Sequence, residues 1–536
     1  MGEFIPKNRN YSSWEIIDTS NNPVVFDKNF DPVANKVLKG DVISSEFINR
    51  CSKYRNAILP GILKLNNKTY GRSKDGNFFF KIIPNDKVLP VFLVSYKEKN
   101  NFSKLKNDKY VLFTFKCWNI KHPECILSNV LGNIEDDKAY YDYLLYSKNL
   151  FRNNYKNLNS LKKTIENYKL PNIEDRSDSI IITIDPTDCT DFDDAIGLIE
   201  QCDGNKILSI YITDTVHIIN HCNLWNRLYD NVSTIYLPFK KQSLLPKLLC
   251  DNICSLRENF QRQVMSLDLY LDCDNNIIKK EFKTAIIKVT KNFVYEEKDL
   301  IESELYKNIF QICNSLFENI TDSHDVISNL MILINHYAAQ LLFKNKCGIF
   351  RISENTNNNM SLELSKHIQD WTPYTGSYCL HEDNIGHKSL CLNEYCQISS
   401  PIRRIVDIIN MLYLNNIIDN YLFNKNINDF LDYWNNNLEY LNKLDKSIKK
   451  IQNTAYIYNI SKTIDFSDGY VIDCFLETKK SKIKLYVSSI YLINIKSIFN
   501  IQLDYPLTIY NKYSFKIYCF EDEINLRKKI KLQLIS

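Results

Sequence analysis

Five aspartates crowd the segment Asp185–Asp194 (DPTDCTDFDD), directly behind the apolar run Ile180, Ile181, Ile182, Thr183 and Ile184. A run of that composition forms a buried strand. The chain must therefore fold so that one end of a buried strand opens onto a knot of carboxylates. Carboxylates held this close repel one another, and they either take up protons or bind a cation that offsets the repulsion. Ligands that are all oxygen point to Mg²⁺, with Mn²⁺ as its substitute. A calcium loop of the EF-hand kind fails: counted from Asp185 or from Asp191, neither a Gly at the sixth position nor a Glu at the twelfth is present. A solvated acidic turn is the plain alternative, and it leaves the apolarity of the flanking strand unexplained.

The 536 residues around this cluster leave room for about three or four domains. Hydrophobic residues at 44% and charged residues at 24% exclude a collagen-like chain and a wholly disordered one. Lys and Arg number 67 against 63 Asp and Glu, a net charge of +4, so a nucleic-acid surface has to be a local patch. The longest apolar stretch, 331–343, is broken by Asn335 and His336, and no membrane partner is expected. Residues 1–6 lack the apolar core of a secretion signal, and Pro6 stands where a myristoylation signal needs Ser or Thr. Sixteen cysteines without such a signal suit a reducing compartment, and the expected location is the cytoplasm, with the nucleus as the alternative.

Residues 1–56 are polar and irregular and are expected as an arm. From Ala57, short β-rich runs (62–65, 78–83, 88–96, 110–115) separated by Gly, Asn, Asp and Pro predict a small barrel over 57–135. Tyr70, Phe78, Phe79 and Phe80 interleave there with Lys64, Lys68, Arg72, Lys74 and Lys81, the mixture that single-strand-binding barrels use for stacking and phosphate attraction; core aromatics under a solvated basic face would read the same. Residues 136–172 read as a helical connection. From 173 to 463 strands mix with long amphipathic helices, among them a stripe of Val326, Ile327, Leu330, Met331, Ile334, Tyr337, Ala338 and Leu341 expected in the core. Strands recur over 464–536, as a second barrel would require.

Tyr395–Asp407 (YCQISSPIRRIVD) carries the signals of a helix start, with Ser400 as N-cap and Pro401 at the first helical position. Arg403 and Arg404 then fall in the first turn, where the dipole disfavours cations unless an anion is bound. A phosphate there reconciles the two facts; pairing with a nearby carboxylate is the alternative. Just upstream, Cys379, His381, His387, Cys391 and Cys396 invite a zinc reading, which their irregular spacing opposes.

The spacing D-x5-D-x-D-D after a hydrophobic strand, at Asp185, Asp191, Asp193 and Asp194, resembles the signature of the RNase II/RNase R (RNB) family of exoribonucleases. Ordered blocks extend the likeness: ILSIYITDTVHII at 207–219, TIYLP at 234–238, LPKLLCDNICSLREN at 245–259, and SPIRR at 400–404. KVLKGD at 36–41 is similar to the eukaryotic exosome exonuclease branch. The resemblance implies an α+β chain, with an RNB-type catalytic domain over 173–463 flanked by small OB-like β-barrels. It also implies a processive 3′→5′ exoribonuclease that hydrolyses single-stranded RNA to nucleoside 5′-monophosphates. Mg²⁺ would be held by Asp185, Asp191 and Asp194, Asp193 would position or deprotonate the water, and Arg403 would offset charge on the phosphorus. Tyr236 would stack on the terminal base, Tyr295 would lie beside the scissile end, and Arg403 and Arg404 would grip the RNA. Cys347 stands where relatives place a second base-clamping aromatic. The expected partner is single-stranded RNA, bound by a monomer. The competing readings are a catalytically weak RNA-binding relative and a single-strand DNA exonuclease.

Overall fold

The computed structural model describes residues 2–27, 30–44, 47–66, 68–97, 106–151, 158–201, 204–353, 376–478, 484–522 and 527–535. The chain divides into two compact units, one of residues 1–152, 237–239 and 453–536, the other of residues 153–236 and 240–452.

In the first unit, residues 1–56 depart from the expected arm. They form a four-stranded sheet in the order Trp14–Ile17, Gly2–Pro6, Val42–Ser44, Phe47–Arg50. Strands this short leave almost no periodic signal in sequence; tertiary pairing makes them. Phe4, Tyr11, Ile16, Val37, Leu38 and Ile43 are buried in one core with Leu63, Phe80, Phe92 and Phe113 of the barrel. Asp41, fully buried, accepts the amides of Leu38 and Ser52, each at 2.7 Å, and the Arg55 guanidinium at 2.6 Å, the compensation that a buried carboxylate requires.

Five strands close the barrel: Leu59–Lys64, Phe78–Pro84, Phe92–Tyr96, Lys109–Cys117 and Glu124–Asn133. The last is largely solvent-facing, and its apolar residues, interrupted by Ser, Asn and Gly, do not alternate as a strand's would, which hid it from a reading by hydrophobic runs. Gly61 sits where the barrel wall is tight: a Cβ there would come within 2.8 Å of Ile82 Cγ2 and Ile83 O. Arg72 lies over Phe78 at 4.5 Å and Lys81 over Tyr70 at 4.3 Å, so the basic and aromatic residues of this stretch pair with each other on the barrel.

The stretch expected as a helical connection is divided between the units. Its helix Asp137–Ser147 buries Tyr140, Tyr141, Tyr143 and Leu145 in the first unit, and its helix Leu158–Glu166 belongs to the second. The C-terminal strands Phe466–Thr478, Lys484–Leu492, Ser497–Leu503, Lys512–Asp522 and Arg527–Leu534 make a five-stranded antiparallel sheet. Among the described residues its ladder does not close between the edge strands Ser497–Leu503 and Arg527–Leu534. Ile501 and Leu532, from those two edges, nevertheless share one core with Val471, Ile490 and Ile517, so the sheet curls on itself in OB-like fashion.

The second unit is built on a seven-stranded mixed sheet. Its order is Glu174–Asp175, Ile277–Lys288, Gln261–Leu271, Lys206–Thr213, Asp194–Glu200, Ile181–Asp185, Lys291–Val294. Ile181, Ile182, Thr183 and Ile184 are all buried, as their composition demands. This strand runs antiparallel to Asp194–Glu200 and parallel to Lys291–Val294. The end of the first, the start of the second and the end of the third therefore meet at one end of the sheet. Helix Ser323–Lys344 is long and apolar enough by length and composition to cross a bilayer, yet it buries Val326, Ile327, Leu330, Ile334, Ala338 and Leu342 within the protein.

Candidate active site

Asp185 closes its strand, Asp194 opens the neighbouring one, and residues 186–193 are the loop between them. Asp185 Oδ2 is buried with no hydrogen-bond partner, while Oδ1 receives the weak donor Cys189 Sγ at 3.6 Å. Burial pushes the Asp185 and Asp194 carboxyls above the usual range; Asp193 raises Asp185 further and Asp185 raises Asp194 further, while Arg403 opposes both shifts. Two repelling carboxylates, one with an orphaned oxygen, fit a hard divalent cation, which commonly binds through one or two carboxylates and completes its shell with water and phosphate oxygens.

Asp191 does not join that pair as the sequence implied. Its Oδ1 accepts Lys241 Nζ at 2.7 Å and its Oδ2 accepts the Tyr236 hydroxyl at 3.0 Å. Among the described residues, no group of three or more His, Cys, Asp or Glu side chains is arranged to hold a metal ion. Asp193 also differs from expectation. It is 4% exposed, its Oδ1 accepts the Ile402 amide at 2.9 Å, and its Oδ2 lies 3.4 Å from Arg403 Nε. Burial pushes its carboxyl up to about 8 against the opposing pull of Arg403 and the Ile402 amide. Its contacts in this structure are with Arg403 and the Ile402 amide.

The helix expected at Ser400 begins later, at Ile405. Residues 400–404 form a turn instead, because the Arg403 carbonyl takes the Thr234 amide at 2.8 Å and the Ile405 amide goes to Val232 O at 2.8 Å. Pairing with 232–234 thus replaces the first helical turn. Asp407 then caps backwards, its Oδ1 accepting the Ser400 amide at 2.7 Å and Arg404 at 2.8 Å. Arg404 is thus the N-cap of this helix and Arg403 the residue before it. Arg404 is the arginine paired to a carboxylate. Arg403 has a side chain 47% exposed, and its guanidinium also donates to Ser400 Oγ at 2.9 Å.

Tyr295 follows the strand Lys291–Val294, and its amide reaches the Asp185 carbonyl at 3.2 Å. Its ring is stacked on His324, centroids 3.6 Å apart and planes at 12°, so one ring face is already covered. Tyr236 is 40% exposed, and its amide donates to Gln452 Oε1 at 2.9 Å. A cleft of about 660 Å³ opens beside it, lined by Arg351, Tyr378, Tyr395, Arg403, Arg404 and Lys449 among others. Cys347 is not among its lining residues; its thiol donates to Leu342 O at 3.8 Å. The aromatics that share the cleft with Tyr236 are Tyr378 and Tyr395. Of the residues set aside as an unlikely zinc set, Cys396 donates to Asn335 O at 3.4 Å and His387 packs on Tyr395 at 5.1 Å.

Sequence reasoning missed Lys241, His324 and Tyr378. A lysine on a three-residue strand, a histidine at a helix start and a tyrosine between a serine and a cysteine carry no signal until the fold brings them to the carboxylates or to the cleft.

Comparison with known proteins gives the arrangement its context. Residues 173–309 match the RNB domain. DIS3-like exonuclease 2 of Schizosaccharomyces pombe is 29% identical over 264 residues, covering 45% of this chain and 28% of that protein, so the match spans under a third of the relative. In fold, the chain is similar to Mycoplasma genitalium RNase R in complex with ribose-methylated single-stranded RNA, with a TM-score of 0.68 and 16% identity over 99% of this chain and 100% of that one. It is also similar to yeast Ssd1, described as a pseudonuclease, with a TM-score of 0.57 and 14% identity over 96% and 80% of the two chains. Residues 173–309 are thus similar to an RNB domain, and the chain is similar over part of its length to DIS3-like and ribonuclease R proteins.

Proposed function

We propose that the chain is a metal-dependent exoribonuclease that degrades single-stranded RNA processively from its 3′ end and releases nucleoside 5′-monophosphates. The observation that carries this reading is the meeting, at one end of the sheet, of Asp185 with an unpartnered oxygen, Asp194, whose carboxyl Asp185 raises, and the half-exposed Arg403. Asp185 and Asp194 would hold Mg²⁺ or Mn²⁺, which when bound supplies Lewis-acid polarisation of the phosphate and orientation of a water. Arg403, aimed by Asp193, offsets the charge that builds on the non-bridging phosphate oxygens as water oxygen bonds to phosphorus. The bond from phosphorus to the 3′ oxygen of the preceding nucleotide breaks, leaving a new 3′-hydroxyl and a free 5′-monophosphate. Tyr236 presents a ring at the cleft on which the terminal base stacks. Incubation of the pure chain with 5′-labelled single-stranded RNA and Mg²⁺ tests this. Shortening from the 3′ end with release of 5′-monophosphates, abolished by EDTA, is expected, and internal fragments would overturn the exonuclease reading.

A second reading, an RNA-binding relative with weak catalysis, is favoured by one observation: Asp191 is tied to Lys241 and Tyr236. RNA binding without hydrolysis in Mg²⁺ and in Mn²⁺ would select it. The same assay on a DNA strand of equal sequence separates the single-strand DNA exonuclease from both.

A further inference from the structure

The strands Ile235–Leu237 and Lys240–Gln242 pair as a small two-stranded sheet. Each sends a side chain to Asp191: Tyr236 from one, Lys241 from the other. Lys241 Nζ lies 2.7 Å from Asp191 Oδ1, 3.2 Å from Thr190 Oγ1 and 3.4 Å from Asp251 Oδ1, and it sits 5.8 Å from the Tyr236 ring centre. The Asp191 side chain is only 8% exposed, and each of its oxygens has a partner. A divalent cation drawn to the same carboxylate would be placed beside an ammonium, and like charges in a partly buried site repel strongly. Asp185, by contrast, keeps an oxygen with no partner. The acidic loop thus has two parts of different employment: an open pair, and a third carboxylate already neutralised.

We propose that Asp191 is a positioning residue whose counter-charge is Lys241 and not a metal ion, and that the two together fix the Tyr236 hydroxyl and so hold its ring where a terminal base stacks. The proposal rests on the nuclease reading only for the identity of that base, a nucleotide of single-stranded RNA. It assigns the Asp191–Lys241 pair to the hold on RNA and removes it from the hold on the metal.

The test uses the whole chain with two probes: Mn²⁺ alone, followed by its electron paramagnetic resonance, and an RNA trinucleotide bound in EDTA. Asp191→Ala is expected to leave Mn²⁺ affinity within about twofold, whereas Asp194→Ala, which removes a carboxylate from the open pair, lowers it by about tenfold or more. Asp191→Ala, Lys241→Met and Tyr236→Phe are each expected to weaken trinucleotide binding by about fivefold, with pairwise combinations adding little further, as for groups acting as one unit. Lys241→Arg restores binding. Tyr236→Phe removes a single oxygen and keeps the test decisive should Asp191→Ala or Lys241→Met fail to fold. A tenfold loss of Mn²⁺ affinity in Asp191→Ala, or unchanged trinucleotide binding in both Lys241→Met and Tyr236→Phe, overturns the proposal. Absence of RNA hydrolysis by the unaltered chain would count against the nuclease reading alone, because the Mn²⁺ titration requires no RNA.

Discussion

Asp193 Oδ2 lies 3.4 Å from Arg403 Nε, and the other oxygen of that carboxylate holds the amide of the residue before the arginine at 2.9 Å. One buried side chain thereby fixes both the backbone and the guanidinium of the turn that faces the cleft. Ser400 Oγ supports the guanidinium from its other side at 2.9 Å.

Asp193→Asn should therefore cost chemistry and spare binding. Above its raised pKa of about 8 the carboxylate holds the guanidinium with a charge that the amide lacks, and loss of a preorganised charge-stabilising group costs about 10²–10³ in rate. Single-turnover hydrolysis of labelled RNA is expected to fall by that factor, with RNA Kd within about threefold in a fluorescence-anisotropy titration. A variant that cleaves near the unaltered rate would show that Arg403 needs no such support.

Removing the cation should be visible in stability as well as in activity. Burial raises the pKa of both Asp185 and Asp194, and the Asp185 charge raises Asp194 further, so the metal-free chain carries an unfavourable pair that a bound cation relieves. Mg²⁺ is expected to raise the Tm of the chain, and EDTA to abolish both the rise and RNA hydrolysis. Asp185→Asn should raise the Tm of the metal-free chain while erasing its response to Mg²⁺. A lower metal-free Tm in that variant would contradict the repulsion.

The stacked pair Tyr295–His324 gives a separate prediction. Aromatic stacking of this geometry contributes about 0.5–1.5 kcal/mol, and here it steadies a ring whose amide is bonded to the Asp185 carbonyl. His324→Ala is expected to slow hydrolysis by about threefold to tenfold, and His324→Phe to restore most of it. Equal rates in steady-state assays of all three proteins would mean that the stack is passive.

Asp137 supplies an acid limit to stability. Burial pushes its carboxyl up, but Lys462, Tyr458 at 3.1 Å and Lys528 at 3.6 Å outweigh burial and hold it below the ordinary aspartate value. A carboxyl depressed in the folded state stabilises above its unfolded pKa of about 3.9, and that contribution is lost as pH falls through the lower folded value. Asp137→Asn is expected to cost about 1 kcal/mol at neutral pH, a figure kept small by the group's partial exposure, and to lose less stability than the unaltered chain as pH drops below about 4. Urea titrations at pH 7 and pH 3 measure both.

The strand and loop at 181–194 were legible because a short-range pattern, β-branched residues and then carboxylates, dictates them. The arginine turn was legible in its residues but not in its form. Ser400 and Pro401 announce a helix, and the pairing of Arg403 and Ile405 with residues 232–234, some 170 positions earlier in sequence, cancels its first turn. The same distinction separates Asp185 and Asp194 from Asp191, whose role is set by Lys241 and Tyr236, residues that carry no mark of it in sequence. The first 56 residues were misread as an arm because strands of three to five residues are fixed by partners and not by their own periodicity.

The two carboxylates with the open oxygen come from a single hairpin, but the arginine that completes the site reaches them across a separation of 209 residues, measured at the Ile402–Asp193 hydrogen bond. Short-range pairings form early and long-range closures late. In a chain growing on the ribosome, the acidic half of this centre is therefore made well before the basic half emerges, and the site stays incomplete until the SPIRR turn has docked.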